Sequence, residues 1–135
     1  MYQKMSFTSI IASIIKQVRV NTGLPCYDSV PINAPKPFYV AEMVGSLPEK
    51  SKTMMKDRYQ VVMHVFAEGG SSVPIYNAIQ KLEEALTVDI ELPDDYEVTL
   101  QIPTGVNQIM DQADGSKHAV VGFDFVVFSG YKIKI

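Results

Sequence analysis

The sequence predicts one α+β domain over residues 1–135: a mostly antiparallel four-stranded sheet with two helices packed on one face, in the order helix-strand-strand-helix-strand-strand. Three observations carry that expectation. Two well-separated segments, 4–20 and 75–86, space their apolar residues as a helix does. Four further segments alternate or run apolar at strand length. Nothing in the second half alternates strand with helix, so parallel crossover units have no support there. The 135 residues, 47% hydrophobic and 20% charged, are sufficient for one core without a staple.

The first helix rests on Phe7, Ile10, Ile11, Ile14, Ile15 and Val18, which fall on one face over roughly 4–20. Asn21-Thr22-Gly23 is its stop, and Pro25 cannot continue it. The stretch from Pro25 to Pro37 holds four of the chain's eight prolines. Each proline removes a backbone donor and pushes the preceding residue into extended geometry. Residues 24–36 should therefore run extended over the surface, outside any central strand. Phe38 to Val44 is the first strand, followed by a polar, flexible loop at about 45–57. Arg58 to Ala67 is the second strand. It is apolar on both faces in its middle, so it should be central and covered on each side.

Glu68-Gly69-Gly70-Ser71-Ser72 is a turn ending in N-cap chemistry, with Pro74 in the first helical turn, where its missing N–H costs nothing. Ile75, Ala78, Ile79, Leu82, Ala85 and Leu86 form the stripe of the second helix. Tyr96, Val98, Leu100 and Ile102 then alternate with Glu97, Thr99 and Gln101, a half-buried strand. Pro103-Thr104-Gly105 should break or bulge it, and 106–111 continue it. Asp114-Gly115 signals a hairpin, and the last strand runs from about Ala119 to Tyr131.

Composition excludes several classes of function. A net charge of −3 and a pI near 5.3 argue against a nucleic-acid binder, which carries a basic face. No apolar run reaches the length of a membrane span. The apolar stretch from Phe7 to Val20 contains Lys16, Gln17 and Arg19 and no cleavage site follows, so it is expected to be a folded helix rather than a leader. The product should then be cytoplasmic when made. The single cysteine, Cys26, excludes an internal disulfide and a multi-cysteine metal site. It follows a helix C-terminus, where the dipole opposes thiolate formation. His64 and His118 have no zinc-ligand spacing with it. Glu83 and Glu84 are adjacent on a helix and do not face each other, and Asp94-Asp95 lies in a turn. Gly69-Gly70 belongs to no phosphate-loop motif. No catalytic, cofactor-binding or metal-binding residue is nominated. A small-molecule-binding α+β domain is the competing class, and for its pocket only His64, Tyr59 and Asp124 are strand candidates. Asp124, between apolar neighbours, must face water or be paired.

One charge asymmetry remains. From Glu83 to Glu97 there are seven acids and no base; Lys50, Lys52, Lys56 and Arg58 cluster against Asp57 alone. Either these are separate solvated surfaces, or they are complementary contacts between neighbouring copies, built from Lys50, Lys52, Lys56 and Arg58 against Glu83, Glu84, Asp94, Asp95 and Glu97. A head-to-tail contact of that kind closes into a ring when the rotation allows.

The order of these segments resembles the phage tail terminator, or tail-completion, family. The resemblance is carried by Tyr27-Asp28 before Val30-Pro31, by Ala34-Pro35 and Pro37 leading into a strand, and by Val65 to Gly69 before a helix that ends in Ala85-Leu86. The Asp114-Gly115 turn before the last strand completes it. The similarity covers nearly the whole chain, although each motif is short. It implies a structural virion protein, with no catalysis and no cofactor, that forms a homo-hexameric ring. That ring docks on the phage tail-tube protein and offers its other face to head-completion or connector proteins. The implied location is the head–tail interface of the virion. A head-completion or minor capsid protein of the same class is the alternative role, and the gene could belong to an active phage or a prophage.

Overall fold

The computed structural model describes residues 4–49 and 52–131. Helix α1 (Phe7–Thr22) is capped by Ser6, whose hydroxyl accepts from Ser9 N, and ends at Gly23 in the left-handed conformation with its N–H on Arg19 O. Strands β1 (Cys26–Tyr27), β2 (Phe38–Glu49) and β3 (Met54–Ala67) follow, then helix α2 (Val73–Ala85), β4 (Glu97–Asp111) and β5 (Lys117–Tyr131). Ser72 is the N-cap residue of α2, and proline occupies its first turn.

The sheet has five strands, in the order β1-β2-β3-β5-β4, not the expected four, and it is mixed. Its extra strand comes from the proline segment. Cys26 and Tyr27 pair parallel with Tyr39 and Val40, and Tyr39 N donates to Pro25 O at 2.9 Å. Arg19 Nε donates to Cys26 O at 2.9 Å, so the helix end holds the two residues against the border of β2. All other pairings are antiparallel. The stretch 45–57 is also corrected. It carries strand over 45–49 and 54–57, forming the outer arms of a β2–β3 hairpin. Its Glu49 pairs with Arg58 across that hairpin, which composition alone does not reveal.

Both helices pack on one face. Ile10, Ile14 and Val18 of α1 and Ile75, Ala78 and Leu82 of α2 close over Tyr39 and Ala41 of β2, Val61, Met63 and Val65 of β3, and Val121, Phe123 and Phe125 of β5. Among these, Ile14, Leu82, Tyr39 and Phe125 have no exposed surface. Tyr39 donates its O–H to Ala78 O at 2.6 Å and Tyr59 donates to Met5 O at 2.7 Å, so each buried phenol has an acceptor. Gln17 and Gln101 donate to Val88 O from opposite sides; Gln17 also reaches Ala85 O, and Gln101 reaches Leu86 O. These bonds satisfy carbonyls that the end of α2 leaves without helical partners.

The alternation in β4 is cut by register shifts between Val98 and Leu100, Pro103 and Gly105, and Val106 and Gln108. Val98 packs against the core, but past the first shift Gln101 takes the helix-side position. Leu100 and Ile102 turn outward and are 41% and 42% exposed. A bulge inserts one residue and so reverses which face the next side chain takes. For β3, the expectation of cover on each side holds on one face only. Among the described residues no element lies over the other face, and its apolar groups shield one another: Phe38 stacks on Phe66 at 4.9 Å and Phe66 on His118 at 4.3 Å.

Candidate functional site

The uncovered face of the sheet gathers the polar side chains. Arg58 on β3 is clamped within its own chain: Nε lies 2.9 Å from Glu49 Oε1 and Nη1 lies 3.0 Å from Asp124 Oδ2. The hydrogen bond from Arg58 holds the Glu49 carboxyl below the usual carboxylate range. Asp124, expected to face water or be paired, is paired. Arg58 thus engages its fork with two acids of its own subunit. Glu49 and Arg58 are nine residues apart across a hairpin, a pair that a correct placement of the β2–β3 turn would have revealed.

Further along the same face, His64 Nδ1 lies 2.8 Å from His118 Nε2, and His64 Nε2 lies 2.8 Å from Glu42 Oε1. Burial, and then the charge of His64, lower the pKa of His118. Glu42 lies on the far nitrogen of His64, not beside the His–His contact, so the three do not converge on one point. No group of three or more His, Cys, Asp or Glu side chains among the described residues could hold a metal ion. Cys26 is buried, and burial pushes its thiol up to about 12, the reverse of what a nucleophile needs.

The three strand residues nominated for a pocket do not meet. Tyr59 faces the helices, whereas His64 and Asp124 face the other way. Asp124 is level with Gln60, which puts it about 13 Å along the strand from His64. A groove of about 420 Å³ runs between Pro31, Ala34 and Lys36 on one side and Gln112 and Asp114 on the other. Lys36 and Asp114 bridge it at 3.8 Å.

The charged segments have a definite arrangement. Lys56 and Glu97 both pair with Phe128, from opposite sides, so they lie two strands apart, about 10 Å. Lys56 of the basic stretch and Glu97 of the acidic one therefore lie at the same end of the sheet in one subunit. Lys52, Glu83, Glu84, Asp94, Asp95 and Glu97 are exposed and Lys56 is half-buried; Lys50 lies outside the described residues. No helix among the described residues is long and apolar enough to cross a membrane.

A family model described as "Putative tail termination protein" matches residues 1–135. The chain belongs to the phage tail terminator family. This is a family of structural proteins of phage assembly. Among solved structures, a chain of the virion of a native gene transfer agent particle is similar in fold. Its TM-score is 0.68 at 14% identity, covering 92% of this chain and 100% of that one. No curated protein matches the sequence.

Proposed function

We propose that this chain is the terminator subunit itself: copies form a ring, hexameric as the family resemblance implies, that caps the phage tail tube and joins the tail to the head. The observation that carries this is the match of the tail-termination model over residues 1–135. The partners are other copies of the chain, the tail-tube protein and a head-completion or connector protein, and the place of action is the head–tail interface of the virion, reached after assembly in the host cytoplasm. The arrangement at one end of the sheet supports an end-on contact. Lys56 and Glu97 bring both signs of charge to that end, and Lys52, Asp94 and Asp95 lie within four residues of them in the chain. Lys52, Asp94, Asp95, Glu97 and the acids Glu83 and Glu84 of α2 are exposed. Such a patch sets register and approach more than affinity.

The test is assembly with the tail-tube protein of the same phage. The terminator should cosediment with finished tubes, stop their further growth, and appear at one end by electron microscopy. Failure to bind tube ends would overturn the reading. Reversing Lys52 and Lys56 together with Asp94, Asp95 and Glu97 should weaken tube binding in low salt without changing the unfolding transition. Single reversals should do little, since an exposed pair contributes about 0–1 kcal/mol.

A further inference from the structure

We infer that neighbouring copies join laterally through the sheet, the outer edge of β4 in one subunit pairing with the open edge of β2 in the next. This rests on the ring reading above and supplies its lateral contact, distinct from the end-on charged patch. The strand order leaves β4 at one border with no strand beyond it among the described residues. At the other border β1 pairs only with Tyr39 and Val40, so among the described residues 41–49 of β2 have no strand on their outer side.

Both borders lack protection by charge within their spans, although bulging and one proline interrupt each of them. An exposed edge is ordinarily blunted by charges, because its free N–H and C=O groups are a template for another chain. Here no charged residue stands between Glu97 and Asp111, nor between Glu42 and Glu49. In their place are apolar side chains in solvent: Leu100, Ile102, Val106 and Ile109 on β4, each 41–43% exposed, with Val44 at 61% and Leu47 at 42% on β2. Leu100 and Ile102 share the uncovered face and Val106 and Ile109 the helix-side face, so a strand laid on this edge would be gripped from both.

Polarity and shape select a second copy as the occupant. β2, β3, β5 and β4 are successively antiparallel, so β2 and β4 run in opposite directions within one subunit. A rotation about an axis along the strands therefore brings unlike edges together as an antiparallel pair, a heterologous contact that can close. The three register shifts and Pro103 divide β4 into short regular runs. They limit pairing to those runs, and they bend and twist the strand, which favours a closed ring over an open ribbon.

Two variants test this. Leu100→Lys with Val106→Lys blocks the β4 edge; Val44→Lys with Leu47→Lys blocks the β2 edge. All four positions are solvent-exposed, and near-UV dichroism with thermal unfolding checks the fold. By native mass spectrometry, wild type should assemble at high concentration and each variant alone should be monomeric. Their mixture should give a one-to-one dimer and nothing larger, because one intact edge remains on each partner. Assembly of either variant alone, a dimer of the β2-blocked variant through β4 on β4, a mixture without dimer, or a wild type that stays monomeric to millimolar concentration would each overturn the inference. Hydrogen exchange of the assembled wild type against the diluted chain avoids substitutions altogether. Protection should rise in 41–49 and 97–111, and a rise confined to other segments refutes edge pairing. If both variants still cap tail tubes as rings, the terminator reading stands and edge pairing falls; if the wild type caps no tube, that reading falls whatever its edges do.

Discussion

Gly69 offers a direct test of how the turn before α2 is held. A Cβ at this position would lie 1.5 Å from Gly115 O and 2.7 Å from Gly115 C. Both are backbone atoms, in a hairpin pinned by Asp114, whose Oδ1 accepts from Ser116 N at 2.9 Å and Ser116 Oγ at 2.6 Å. Relieving the overlap requires the two backbones to part by on the order of 2 Å. Overpacking of this kind costs about 1–3 kcal/mol, while alanine narrows the unfolded ensemble and returns about 0.4–1 kcal/mol. Gly69→Ala should therefore lose about 1–2 kcal/mol net, read as a lower urea midpoint at unchanged slope. Gly70→Ala is the control: no atom lies within 4 Å, but φ is +86°, so its cost of about 1–2 kcal/mol is backbone strain alone. Amide shifts at Gly115 and Ser116 should move in the first variant and stay in the second. A Gly69→Ala protein as stable as wild type, with those amides unmoved, would refute the close approach.

Three other outcomes follow from buried or half-buried groups. Because His118 has a lowered pKa, the folded chain takes its proton less readily than the unfolded chain. Its contribution is whole above the ordinary value of 6.5 and is lost as pH falls below that through the depressed pKa; His118→Gln should flatten this part of a stability-against-pH curve. Cys26, with its thiol pushed up to about 12 by burial, should resist a thiol reagent at mildly alkaline pH until the protein is unfolded by denaturant, and prompt labelling of the native chain would contradict its placement. Tyr39→Phe removes the bond to Ala78 O but leaves that carbonyl its helical donor. Chemical denaturation should therefore register a loss of only about 0.5–1.5 kcal/mol.

Much of the architecture was legible because it follows local periodicity. The stripe from Phe7 to Val18 places α1 and Asn21-Thr22-Gly23 its stop, whereas its cap at Ser6 comes from the structure; Pro74 marks the start of α2. Pro103-Thr104-Gly105 was expected to bulge β4, and a register shift falls between Pro103 and Gly105. The site was less legible. The acidic and basic runs are visible as composition, but the placing of Lys56 and Glu97 on either side of Phe128 depends on β5 lying between β3 and β4, a pairing over long sequence separations. The two glycines before α2 look like capping residues in sequence, yet Gly69 serves a contact with a turn far along the chain.

The sequence by itself thus determined the α+β class, the two helices with their buried stripes, the main strands and the family, because these depend on spacing and order within short windows. Only the tertiary structure decided that the proline segment supplies a fifth, parallel strand, that Arg58 is consumed by Glu49 and Asp124, and that β2 and β4 stand at opposite open borders. The physical reason is that strand neighbours are chosen by hydrogen bonding and burial across the whole chain. A charge or an exposed edge acquires its meaning only once those neighbours are set.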